Sequence, residues 1–445
     1  MSELNNSNEI YDAKTLGIPK MLMLGLQHVF AMFGATVLVP ALTGLSVSAT
    51  LLFAGLGTLL FHVLTKGKVP AFLGSSFAFI GGYAAIAPEG EKELLPYACI
   101  GVAAAGCLYL LLAALIKFFG QARVMKFFPP IVTGPIIIAI GLTLSQSAID
   151  NCKTNWGIAL VAILIVIICN IYGSGMVKII PIILGVIGSY SLAAILGYVD
   201  FTAVREASWI GIPFRMEDTV FSLAKGADKS LIATAIITIM PIALATMVEH
   251  IGDISAISST TKRNFFEDPG LHRTLLGDGL ATILASLFGA PANTTYGENT
   301  GVLSLTKVYD PVVVRIAAVI AALLSFCPKF SALITAMPAA TVGGVSIILY
   351  GMISAVGIRN LVENKQDLGI SRNIIIAALI LGLSIGINYS GAIVFNIGSI
   401  TVSFSGIAVG AIVGIFLNAV LPFVDRPISD YFNSKKADKK NAEKA

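Results

Sequence analysis

Apolar stretches of about 20 residues, the length of a bilayer-crossing helix, recur along the whole chain between short polar or Pro/Gly-rich breaks. Breaking the pattern at charges and at Pro/Gly clusters predicts fourteen spans. They fall at 19–42, 46–65, 70–87, 96–117, 127–148, 155–173, 179–198, 230–255, 272–290, 292–306, 311–335, 338–358, 372–390 and 403–424. Spans three and ten are short and poorly helical: Pro70, Gly74, Gly81 and Gly82 interrupt the first, Pro291, Gly297 and Gly301 the second. They read as broken helices. Irregular backbone survives at membrane depth only where it is buried in protein or lines a cavity, so the two segments point to a central binding site.

The longest polar interruption, 199–229, carries mixed charges around Trp209 and Pro213 and divides seven spans from seven. An odd number in each half makes the second half run opposite to the first, as in inverted-repeat transporters. A local echo agrees with this. Span three holds Gly74-Ser75-Ser76-Phe77 and span ten Asn293-Thr294-Thr295-Tyr296, in matching places of the two halves. The expected fold is therefore an all-α polytopic membrane protein of fourteen transmembrane segments in two inverted seven-span repeats.

Composition excludes the soluble alternative. Of 445 residues 56% are hydrophobic and only 12% charged, with a mean hydropathy of +0.87. That is more apolar surface than the interior of one soluble chain can hide. With a cytoplasmic N-terminus, 22 of the 29 lysines and arginines fall on the inner side of the fourteen spans. This is the asymmetry of an inner-membrane protein with both termini in the cytoplasm. Residues 1–18 lack the basic start and apolar middle of a secretory signal, so the first span is expected to be retained. The net charge of +4 comes without a basic stripe interleaved with aromatics, so nucleic acid is not an expected partner. The five cysteines show neither CxxC nor Cys/His ligand spacing, and no metal site or disulfide framework is expected.

Ionisable side chains inside spans are costly and mark function. Four acids qualify: Glu249, Asp253, Asp278 and Glu298. Glu249 and Asp253 are four residues apart, on one helical face beyond a kink expected at Pro241. At about 6 Å and an effective dielectric near 20, two such charges repel by about 3 kcal/mol, which favours sharing a proton between them. Glu298 sits inside broken span ten, where an acid has no evident helix-stabilising purpose. Asp278, between Gly277 and Gly279, divides evenly between fixing backbone and proton coupling. His28 is a weaker proton-coupling candidate, since a membrane histidine more often makes an interhelical hydrogen bond; His62 is ambiguous in the same way. His250, about 100° round the helix from Glu249, should face elsewhere. The chain has no GxxxxGK[ST], HExxH or GxSxG, so neither ATP hydrolysis nor intramembrane catalysis is expected, and no cofactor. The residues alone thus describe a proton-coupled secondary transporter for a small ligand with several N–H groups.

From Glu298 to Lys307 the sequence reads ENTGVLSLTK. This resembles the signature of the nucleobase-ascorbate (nucleobase:cation symporter) transporter family: acid or amide, Asn, any residue, Gly, four of any kind, Thr, basic. LQHVFAMFGATVLVP at 26–40, GSSFAF at 74–79, the Glu-His-Ile-Gly stretch from 249, DPGLHR at 268–273 and NTTYGEN at 293–299 extend the likeness over nearly the whole chain. The resemblance implies a core domain (19–118 and 230–335) and a gate domain (119–198 and 336–425) that also mediates dimerisation. A cytoplasmic segment (1–18), an external loop (199–229) and a basic tail (426–445) complete the chain. It implies proton-coupled uptake of a nucleobase, with Glu249 and Glu298 accepting the ring N–H groups and Phe77 and Tyr296 flanking the ring. Backbone N–H groups at Phe77 and Gly297 would meet the carbonyls, with Ser76 beside them and Tyr350 approaching from the gate. Uracil is the expected substrate, with xanthine or uric acid the alternative, because Asp253 stands where several uracil-type members carry histidine. A different class, an inorganic-anion carrier of the same fold, is disfavoured because Glu298 would repel its ligand.

Overall fold

The computed structural model describes residues 9–88, 90–397 and 400–421; the basic tail and the end of span fourteen lie outside the described residues. The chain is mostly helical. In order, its main elements are α1 (Ile18–Thr43), α2 (Val47–Leu64), β1 (Leu73–Ser75), α3 (Ile80–Ile86) and α4 (Leu95–Phe119). Then come α5 (Pro130–Lys153), α6 (Trp156–Tyr172), α7 (Pro181–Ile195), α8 (Lys229–Ile239), α9 (Ala243–Thr261) and α10 (Leu271–Leu287). The remainder is β2 (Asn293–Thr295), α11 (Gly297–Thr306), α12 (Pro311–Leu324), α13 (Pro328–Thr335), α14 (Ala339–Glu363), α15 (Ser371–Ser390), β3 (Ile393–Ile397), β4 (Ile400–Phe404) and α16 (Gly406–Val420). Among the described residues seven helices are long and apolar enough to cross a membrane, and shorter apolar helices accompany them. The protein is an integral, multi-pass membrane protein.

Helix packing follows small residues. α4 lies on α10, α2 packs against α10 and α12, and α1 against α12. Elsewhere α5 lies along α14, α6 meets α7 and α14, and α15 packs on α16 and α5. Close approach is built in: a Cβ on Gly55 of α2 would come within 2.4 Å of Ala318 O on α12. Without a hydrophobic driving force between helices in lipid, such close contacts supply the packing energy.

Both broken segments are bridged by strand. β1 pairs antiparallel with β2, Leu73 opposite Thr295, Gly74 opposite Thr294 and Ser75 opposite Asn293. Each strand then turns into a half-helix: Phe77–Phe79 form one 3-10 turn that leads into α3, and α11 starts at Gly297. Strand pairing satisfies backbone groups that the broken helices leave open, which is why this backbone is tolerated at depth. The kink at Pro241 is a 3-10 turn, Met240–Ile242, between α8 and α9.

Three features depart from the sequence reading. Residues 311–335, expected as one span, are two helices meeting at 89°. Pro328 cannot extend a helix behind it, and Cys327 before it takes an extended backbone. The connection 199–229 docks into this bend, with Gly211 N donating to Phe326 O at 3.0 Å and Lys329 Nζ to Val204 O at 3.0 Å. Secondly, an all-α fold omits two strands: Ile393–Ile397, expected in a connection, and Ile400–Phe404, whose last two residues were expected to open span fourteen, pair antiparallel as β3 and β4, and β4 lies against α8. Thirdly, α9 runs six residues past the expected end of span eight, to Thr261.

The N-terminal segment ties down the ends of α9 and α11. Ile10 N donates to Lys307 O at 2.9 Å, Tyr309 N to Ile10 O at 2.8 Å, and Tyr11 Oη to Thr261 O at 3.0 Å. Lys262 Nζ pairs with Glu9 at 2.6 Å, and Asp310 accepts from Ala13 N at 2.7 Å.

Candidate functional site

The site is organised around the crossing of β1 and β2. Thr58 of α2 clamps Leu73 from both sides, accepting from its N–H at 2.9 Å and donating to its carbonyl at 3.1 Å. His62 Nε2 lies 2.9 Å from Ala71 O, so this histidine serves the backbone entering β1. Asn293 is held by its side chain, which donates to Phe53 O at 2.8 Å, and by its carbonyl, which accepts from Thr282 at 2.7 Å. The ladder continues past the strands, with Ser76 N donating to Ala292 O and Tyr296 N to Phe72 O.

Tyr296 locks the two segments together. Its hydroxyl donates to Ser75 O at 2.9 Å and lies 3.1 Å from Ser75 Oγ and 3.3 Å from Thr36 Oγ1. Its ring lies over Gly74, where a Cβ would stand 2.6 Å from the ring carbons. A side chain at that position is therefore excluded.

Neither half-helix start is capped by the side chain that precedes it, Ser76 before the turn at Phe77 and Tyr296 before α11. The first N–H groups of a helix lack intrahelical partners and carry the positive end of its dipole. Ser76 Oγ and Thr300 Oγ1 are buried and have no hydrogen-bond partner among the described residues. Phe77, itself buried, meets Tyr350 of α14 edge to face at 5.3 Å.

The acids of α9 face the same place. Asp253 Oδ2 accepts from Thr295 Oγ1 at 2.8 Å, and Oδ1 would be 3.7 Å from a Cβ on Gly297. Glu249 lies in electrostatic reach of Glu298, and Asp253 of both. All three are half-buried and Gly297 is exposed, so solvent reaches the cluster. Glu249, Asp253, Glu298 and Gly297 thus lie together, and Ser76 and Phe77 follow the strand that pairs beside them.

Two sequence candidates sit elsewhere. Asp278 is fully buried behind this layer, its Oδ2 2.7 Å from His250 Nδ1, with the rings of Tyr109 and Phe61 packed edge-on to the imidazole. His250 does turn away from Glu249; its partner across the helix interface has no local signal in the sequence. His28 is engaged with Asn299, whose amide lies 3.0 Å from His28 Nδ1 and donates to His28 O at 3.1 Å. That is the interhelical role, joining α1 to α11. Among the described residues no cluster of His, Cys, Asp or Glu could hold a metal ion.

This combination of broken, cross-paired segments and mid-membrane acids is that of a permease, and comparison with known proteins agrees. A model of the permease family matches residues 19–393. The uracil permease of Bacillus subtilis is 41% identical over 89% of this chain and 91% of its own, and that of Bacillus caldolyticus 40% identical over 97% and 98%. The uracil permease of Escherichia coli K12 is 37% identical over 93% and 95%. The chain belongs to this permease family, that of the nucleobase-ascorbate transporters, and is a transporter, not an enzyme. Among solved structures, the transmembrane domain of the cyanobacterial bicarbonate transporter BicA aligns with a TM-score of 0.57 at 15% identity, over 93% of this chain and 99% of that one. SLC26A9 aligns with 0.64 at 12%, over 92% and 66%. At these identities the likeness is one of fold.

Proposed function

We propose that this permease imports uracil with protons, by alternating access. The observation that carries the reading is the gathering of Glu249, Asp253 and Glu298 at the start of α11, beside the strand pair that also leads into Phe77. Uracil alternates C=O and N–H around a flat ring, so it calls for carboxylate acceptors, backbone donors and aromatic faces. Glu249 and Glu298 accept the ring N–H groups. Backbone N–H groups at Phe77 and Gly297 serve the carbonyls, and the unpartnered Ser76 hydroxyl stands beside them. Phe77 and Tyr296 flank the ring, and Tyr350 closes it from α14. The uracil permeases that this chain resembles support the choice of base.

Glu249, Asp253 and Glu298 carry the proton, since clustered carboxylates bind it more readily together than apart. Asp278, in electrostatic reach of Glu249 and Asp253, backs the cluster from the second layer. Helices of 19–118 and 230–335 form the core that bears the site, and those of 119–198 and 336–425 the gate; the two sets of helix packings support this division. Fourteen spans in two inverted sevens, cytoplasmic termini and a gate-mediated homodimer in the bacterial cytoplasmic membrane complete the proposal. The antiparallel crossing of β1 and β2, one strand from each half, supports the inversion.

An inorganic-anion carrier is the second reading, favoured by the fold of BicA and SLC26A9 alone. Calorimetry of the purified protein with uracil, xanthine and sulfate decides between them. Uracil should bind, sulfate should neither bind nor compete, and Glu298→Gln should abolish uracil binding while leaving the thermal transition within a few degrees. Sulfate competition, or retained uracil affinity in Glu298→Gln, contradicts the proposal.

A further inference from the structure

Away from the site, a cavity of about 660 Å3 opens between α4, the connection 120–129, α9 and α16. Its size falls in the range of about 300–1,000 Å3 typical of small-ligand sites. Its walls are apolar, with Leu115 and Phe119 of α4, Phe127 of the connection, Met247 of α9 and Phe416 of α16 prominent among them. Phe119, Phe127 and Phe416 are 57%, 47% and 60% exposed, so the cavity faces outward along the side of the molecule. Water in such a cavity finds no hydrogen-bond partners along these walls, whereas an acyl chain loses nothing there. The one charged lining residue is Arg123. Lys117 and Lys126, within six residues of it in the chain, are exposed, and residues 117–128 contain no acid.

We propose that this groove binds one anionic phospholipid, with its phosphate on Arg123 and an acyl chain between Phe119, Phe127 and Phe416. The guanidinium fork matches a phosphate in two parallel hydrogen bonds, and basic residues near the surface of an anionic leaflet contribute about 1 kcal/mol each. The groove joins α4 and α9 to α16, so its width depends on how those helices sit against one another. A lipid seated in it therefore couples leaflet composition to their relative movement. This rests on the membrane setting of the chain and not on its substrate, so its failure leaves the uracil proposal standing.

Native mass spectrometry of the full-length protein tests it, with dioleoylphosphatidylglycerol and dioleoylphosphatidylcholine added in separate titrations. The first phosphatidylglycerol should bind about fivefold more tightly than phosphatidylcholine, the factor equivalent to about 1 kcal/mol. Arg123→Gln should erase that preference, Arg123→Lys should keep part of it, and Leu115→Trp, which fills the groove, should weaken the first adduct of either lipid. Leu115 is 37% exposed, so this last variant does not threaten folding. Equal affinity for the two lipids, a preference that survives Arg123→Gln, or adducts unchanged in Leu115→Trp would overturn the proposal.

Discussion

Thr295 on β2 donates a hydrogen bond of 2.8 Å to the carboxylate of Asp253 on α9, four residues beyond Glu249. This bond joins the strand crossing to the acid cluster, so the position of the cluster is set by backbone that also bears the half-helix starts. A hydrogen bond contributes about 0.5–1.5 kcal/mol net between neutral groups and about 1.5–3 kcal/mol to a charged one. Thr295→Val keeps the shape and removes the donor, and should weaken uracil binding by about tenfold in calorimetry. Unchanged affinity would show that Asp253 takes its place without Thr295.

Gly57 lies where α2 passes the Asn293 side chain, itself pinned to Phe53 O. Gly57→Ala forces that side chain or the strand behind it to move, and overpacking of this kind costs about 1–3 kcal/mol. A lowered thermal transition in detergent, together with weaker uracil binding, is expected. A variant that binds and melts like the parent would mean that the strand crossing is not held from this side.

The buried contact of His250 with Asp278 predicts strong coupling. Losing one member strands a polar group at 0% exposure, at a cost of about 1–3 kcal/mol. His250→Leu and Asp278→Asn should each lower the thermal transition, and the double variant should be much less destabilised than the sum of the two. Simple additivity in this double-mutant cycle would show that the two residues act separately.

Much of this site is legible in the sequence. Pro70, Gly74, Pro291 and Gly297 announce broken helices, because their effects on backbone are local. The acids stand out because a span has so few. Tertiary choices were not legible. The pairing of Leu73 with Thr295 joins residues more than 200 positions apart, and neither strand is long enough to show a period. The paired strands Ile393–Ile397 and Ile400–Phe404 carry β-branched residues, but in a membrane context so short an apolar run reads equally well as a loop between spans. The bend at Pro328 had its signal, a proline inside an apolar run, yet Pro40 and Pro135 sit inside helices that continue. At Pro328 the connection 199–229 docks into the bend, a contact that the local sequence does not encode.

The N-terminal strap gives a pH dependence outside the membrane. The hydrogen bond from Lys262 holds the Glu9 carboxyl below its ordinary range. A depressed carboxylate stabilises fully above its unfolded value, about 4.3, and that contribution is lost as pH falls through the folded one. Protection of the Tyr309 amide, which donates to Ile10 O, should therefore fall below about pH 4.5 in hydrogen exchange corrected for the intrinsic rate. Lys262→Met should abolish the step; the same step in that variant would place its origin elsewhere.

The central proposal, that mid-membrane acids couple a nucleobase to protons, is tested most directly by uptake of radiolabelled uracil into liposomes carrying the purified protein. With the outside about two pH units more acidic than the inside, one proton per uracil supports up to about 100-fold accumulation. Uracil should accumulate under that gradient, only equilibrate without it, and fail to enter in the Glu298→Gln variant. Uptake indifferent to the pH step, or undiminished in Glu298→Gln, would contradict it.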